Sequence, residues 1–170
     1  MEGKKRINDL LKAAAHERKK QEKGSGITKD FLIIALGDAM LGFHIEYLRE
    51  VFDLPDVNDI IPLPFVPEYL QGVINVRGEI VPVLDLAAIL GFKRTERAST
   101  KMVIIEEKFK ISFPVREIID MKTLDMKDWR TVHDPRQKAE EQLVTQEFSY
   151  HDRPVGVVDV LKLYASKYLV

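Results

Sequence analysis

The sequence predicts a mostly-β protein made of two repeated half-domains that pack together, and three observations carry that expectation. From Ile27 onward, short β-branched runs alternate with turn signals. Two short apolar helical runs each follow an aspartate: Asp85 precedes Leu86 to Leu90, and Asp159 precedes Val160 to Tyr164. The later part of the chain also repeats the plan of the earlier part. Pro82 to Leu90 lies over Gly156 to Tyr164 at an offset of 74 residues, and Phe43-His44-Ile45 lies over Phe113-Pro114-Val115 at an offset of 70.

The elements follow in order. Residues 1–26 form a charged arm ending in the hinge Gly24-Ser25-Gly26, and Ile7, Leu10, Leu11 and Ala14 recur in it at helical spacing. With so few large apolar side chains the arm is not a stable helix alone; it reads as a solvated tail or as a helix that docks on a partner or grazes a membrane. Phe31 to Leu36 reads as a strand, Gly37-Asp38 as its turn and Met40 to Ile45 as its hairpin partner. Tyr47 to Leu54 is extended, Pro55 and Pro62 to Pro67 punctuate, and Gly72 to Val76 and Glu79 to Leu84 are strands around Arg77-Gly78. Gly91 closes the helix that Asp85 opens.

In the second half, Glu117-Ile118 resembles Glu50-Val51, and the turn glycines of residues 70–81 give way to His151-Asp152. Asp125 to Gln142, rich in charge, reads as a loop or exposed helix inserted between strands. The halves run from about 27 to 98 and from about 99 to 170. Each is too small for a comfortable core of its own, so the two are expected to share apolar surface.

Composition narrows the function. No apolar run reaches the ~18–20 residues of a membrane helix, no signal peptide opens the chain, and no cysteine is present, which together predict a cytoplasmic protein without disulfides or thiolate metal sites. Residues 1–24 hold eight Lys/Arg against four Asp/Glu, leaving 18 basic and 23 acidic residues in the body. An acidic body lacks the footprint of a nucleic-acid binder. The four histidines, His16, His44, His133 and His151, are not at metal-ligand spacing, and His44 reads as an outward-facing strand residue. Asp125 and Asp128 both precede Trp129, which reads as a solvated turn with one anchored aromatic ring. No nucleophile elbow or phosphate loop occurs, so neither catalysis, nor a cofactor, nor a metal is expected.

One run is specific: Leu70-Gln71-Gly72-Val73-Ile74-Asn75-Val76-Arg77-Gly78-Glu79-Ile80-Val81-Pro82-Val83-Leu84-Asp85-Leu86. It resembles the signature of the CheW-like family, in which a glycine-valine-asparagine strand turns at arginine-glycine and returns as a valine-proline-valine-aspartate-leucine strand into a helix. Pro64 to Tyr69 and Leu48-Arg49-Glu50-Val51 resemble the same family's proline-rich approach and its regulatory strand. The resemblance is strong over residues 31–92, thinner over 100–120 and 143–164, and absent from 1–26.

The resemblance implies two intertwined five-stranded SH3-like barrels in a non-enzymatic, free-standing adaptor. Its implied partners are methyl-accepting chemotaxis receptors and a CheA-like histidine kinase, at membrane-bound arrays. Carried onto this sequence, the binding residues are Arg77, Glu50, Leu48, Gly72, Asn75 and Val76, with Glu50 facing Arg77. Local geometry alone also accounts for Gly72 and Gly78, and Arg77 alone could be a solvated turn residue. Val115-Arg116-Glu117-Ile118 and Tyr150-His151-Asp152-Arg153 depart from the family's usual second half, which leaves open an SH3-like interaction module serving a pathway other than chemotaxis.

Overall fold

The computed structural model describes residues 26–54, 60–93, 98–133, 135 and 142–169; the expectations for the arm lie outside them, except at Gly26. Chain order is β1 (Thr28–Leu36), β2 (Ala39–His44), β3 (Leu48–Asp53), β4 (Leu70–Val76), β5 (Glu79–Leu84) and α1 (Leu86–Leu90). Then follow β6 (Lys101–Glu106), β7 (Lys110–Val115), β8 (Glu117–Asp125), β9 (Arg130–Thr131), β10 (Val144–Tyr150), β11 (Arg153–Val158) and α2 (Val160–Ala165). The mostly-β class is as the sequence predicts. Both helices begin where the aspartates place them: the Ala88 amide donates to Asp85 Oδ1 and the Lys162 amide to Asp159 Oδ1, each at 3.0 Å.

The strands assemble into a six-stranded sheet, β8-β1-β2-β11-β10-β9, and a five-stranded sheet, β3-β6-β7-β5-β4. These sheets do not follow the sequence halves. The β1–β2 hairpin pairs in parallel with β11 and along its other side with β8, while the β6–β7 hairpin pairs with β5 and β3. Each hairpin is therefore embedded among strands of the other half, and removing either half would strip the flanking ladders from the other half's hairpin.

Alternation along β1 explains the exchange. Leu32 and Ile34 join a large core containing side chains of both sheets and both helices, including Leu41, Phe43, Phe113, Leu86 and Val160. Phe31 and Ile33 point the other way, into a cluster supplied by the six-stranded sheet alone, with Met40, Leu124, Phe148, Val155 and Val157. The five-stranded sheet has the equivalent cluster in Ile74, Val81, Val83 and Met102. A strand buried on both faces needs an unbroken apolar run, which is what Phe31 to Ala35 supplies. Tyr164 ties α2 to the β6–β7 hairpin by donating to the Phe109 carbonyl at 2.6 Å, and burial pushes its phenol up to about 12.

Asp125 to Thr131 departs from the loop or exposed helix expected over Asp125 to Gln142, of which residues 134 and 136–141 lie outside the described residues. Asp125 ends β8, Met126–Asp128 is a 3-10 turn, and Arg130–Thr131 pairs with Gln146 and Glu147 as β9. The charged residues obscured a strand that the Arg130–Glu147 ion pair helps to hold.

Candidate functional site

The signature run folds as a two-residue hairpin. Val76 pairs with Glu79, and the two residues between them, Arg77 (φ 54°) and Gly78 (φ 89°), both adopt positive φ, the requirement of a type I′ turn. Asn75 fastens the turn, its Oδ1 accepting the Gly78 amide at 2.8 Å. Arg77 then reaches Glu50 on β3, Nη2 to Oε1 at 3.1 Å. The contact thus reaches from the β4–β5 turn to β3, the strand at the opposite edge of the five-stranded sheet. The arginine side chain is 72% exposed and the glutamate 19%, so the pair contributes at most ~1 kcal/mol to stability while most of the guanidinium fork faces solvent.

The remaining sequence-predicted residues divide. Asn75 is exposed beside Arg77, and Val76 is half-buried against the small cluster of its own sheet. Gly72 is buried, and the space a side chain would need is taken from within the chain: a Cβ there would lie 2.9 Å from the Ile61 carbonyl carbon and nearer still to its oxygen. Ile61 forms a β-bridge with Val73 at this point, so the close backbone approach that the glycine permits is an internal one. Leu48 belongs to the large core. Simple alternation would put it on the face of Glu50, but a bulge between Leu48 and Glu50 turns Leu48 inward instead.

Sequence reasoning missed an apolar strip beside the turn. Ile61 sits opposite Val73, Val73 opposite Pro82, and Asn75 opposite Ile80, so these side chains share the outer face of the sheet. Ile61 and Ile80 are both exposed. The alternation of Ile80 and Pro82 against buried Val81 and Val83 was the available signal.

It also missed the second tie. The bulge in β8 sets Ile33 opposite Asp120, as the bulge in β3 sets Ile104 opposite Glu50, so the counterpart of Glu50 is Asp120, at an offset of 70, and not Glu117. Asp120 Oδ2 accepts the Tyr150 hydroxyl at 2.9 Å, a hydrogen bond that raises the phenol above its ordinary range. At the base of that turn, His151 (φ 47°) and Asp152 (φ 60°) repeat the left-handed geometry without glycine.

His44 differs from its expected place. Its ring packs at 4.5 Å from Phe31 and 5.7 Å from Trp129, and burial lowers its imidazole below the ordinary value. Asp125, beside Trp129, caps the 3-10 turn by accepting the Lys127 amide at 3.0 Å, which holds its carboxyl low. Among the described residues no group of three or more potential ligands is arranged to hold a metal ion, and no helix is long and apolar enough to cross a membrane.

The sequence model of the family described as "CheW-like domain" matches residues 30–167. The chain belongs to the CheW-like domain family. The match includes all the strands from β2 to β11, both ties and both left-handed turns. This CheW-like chain is 23% identical to the chemotaxis protein CheW of Rhizobium meliloti (strain 1021) over 82% of its own length and 89% of that protein's. Its likeness to the chemotaxis protein CheW of Thermotoga maritima is 33% over 41% of the chain and spans half of that protein's length. It is also 37% identical to protein FrzA of Myxococcus xanthus over 36% of the chain and 37% of that protein. In fold it is similar to the crystal structure of the scaffolding protein TtCheW from Thermoanaerobacter tengcongensis, with a TM-score of 0.68 at 22% identity, covering 83% of this chain and 95% of that one.

Proposed function

We propose that this CheW-like chain is a non-enzymatic adaptor of chemotaxis, coupling methyl-accepting receptors to a CheA-type histidine kinase in the cytoplasm beside membrane-bound arrays. The observation that carries the reading is the Arg77 turn: an exposed guanidinium, oriented by Glu50 and set next to the apolar strip of Ile61 and Ile80. A charged group able to form several hydrogen bonds, bordered by apolar side chains, suits a protein contact better than chemistry on a small substrate. The names of the relatives from Rhizobium and Thermotoga point to the same pathway.

The His151-Asp152 turn favours a second reading at one point only. It presents neither the glycine nor the arginine of the first turn, which supports receptor contact through the first half more strongly than a kinase contact through the second. An interaction module in another signalling pathway would keep the first turn and lose the kinase. Reconstitution with a receptor cytoplasmic fragment and the kinase decides between them. The proposal expects a complex of all three and receptor-dependent kinase activation that requires this chain; receptor binding without any kinase in the complex would favour the other pathway.

A further inference from the structure

A second surface lies away from the Arg77 turn. A cleft of about 270 Å³ opens between the 3-10 turn at Met126–Asp128, the β2–β3 connection and the start of α2, walled by Tyr47, Met126, Trp129 and Leu161. Large apolar side chains stand open around it: Met126 is 41% exposed and Leu161 56%. Ile27, 70% exposed, adjoins Met126, whose amide donates to the Ile27 carbonyl at 3.0 Å. Within the same wall the Trp129 Nε1–H is buried with no hydrogen-bond partner among the described residues, a cost that native proteins seldom leave unmet.

The described chain begins at the rim of this cleft. Gly26 packs against the Asp125 carboxylate, next to Met126, so residues 1–25 issue from its edge. Their sequence places Ile7, Leu10 and Leu11 on one stripe, separated from Gly26 by Lys12 to Ser25, fourteen residues with no large apolar side chain. Fourteen residues span at most roughly 46–50 Å, ample to return a stripe to a cleft beside their own starting point. Charge agrees: residues 1–24 carry a net +4, and the rim offers Glu46 and Asp159, with Asp125 and Asp128 flanking Met126, against Lys29 and Lys127.

We propose that the cleft walled by Tyr47, Met126, Trp129 and Leu161 is the docking site of this chain's own N-terminal arm, with the Ile7, Leu10 and Leu11 stripe as its occupant. Covalent attachment supplies a high effective concentration, so a stripe too small to bind alone can hold the site in cis. The surface is independent of the receptor and kinase reading above.

Trp129 is the only tryptophan in the chain, so its fluorescence reports this cleft without interference. The test compares the full chain, a truncation lacking residues 1–24, and the full chain carrying Leu10→Asp with Leu11→Asp. Truncation and the double substitution should both red-shift the emission and raise the acrylamide quenching constant, with an unchanged circular dichroism spectrum. A synthetic peptide of residues 1–24 should reverse the effect of truncation. Equal quenching in all three proteins would overturn the proposal. So would protection that fades on dilution of the full chain, which would place the arm in the cleft of a second copy.

Discussion

The Arg77-Gly78 and His151-Asp152 turns stand at equivalent places in the two sheets, each joining the hairpin that precedes a short helix and each bent through two residues of positive φ. Each is tied to a carboxylate on the strand at the far edge, Glu50 in one sheet and Asp120 in the other. What differs is the group that makes the tie. In the first half it is an exposed guanidinium with donors to spare; in the second it is the Tyr150 phenol, whose hydroxyl is used by Asp120 and whose ring lies between Lys122 and His151. The ladder registers fix the turn and the tie in both sheets. The side chain in the tie decides whether the turn only holds the sheet together or also presents free donors to solvent.

The largest effect expected from breaking this comparison is at Gly72. Gly72→Ala places a Cβ against the Ile61 carbonyl in a left-handed backbone position, and should cost about 3 kcal/mol in a denaturant titration. The equivalent position, Gln146, already carries a side chain and should accept alanine with under about 0.5 kcal/mol of change. Next comes Tyr150→Phe, which removes the hydroxyl from Asp120 and should cost about 1 kcal/mol without weakening receptor binding. Smallest is Asp152→Gly, which relieves a non-glycine residue at φ 60° and should stabilise by about 0.5 kcal/mol, read as a small rise in thermal midpoint. Equal losses of stability for Tyr150→Phe and Arg77→Ala would mean that the two ties do the same work.

Local features of this fold were legible because they are written in local residues. Asp85 and Asp159 announce their helices by side-chain caps, Asn75 to Gly78 announce a tight hairpin, and the apolar run from Phe31 announces a strand. Long-range pairing was not legible. Nothing in β3 specifies that it pairs with β6 of the other half, since each strand offers the same alternating pattern to any neighbour. The site suffered from the same blindness at shorter range. One extra residue in β3 turned Leu48 into the core, and the matching bulge in β8 moved the counterpart of Glu50 from Glu117 to Asp120. Arg77 and Glu50 were legible as a pair only through the family resemblance, because 27 residues and three intervening strands of the sheet separate them.

If Arg77 serves the partner and contributes little to the fold, charge reversal should separate binding from stability. Receptor binding would be measured for Arg77→Glu, for Glu50→Arg and for the two together, with circular dichroism and thermal midpoints beside them. The expected result is a folded Arg77→Glu protein that loses receptor binding, and partial recovery in the double variant, where the pair is rebuilt with its signs exchanged. Full binding by a well-folded Arg77→Glu protein would contradict it.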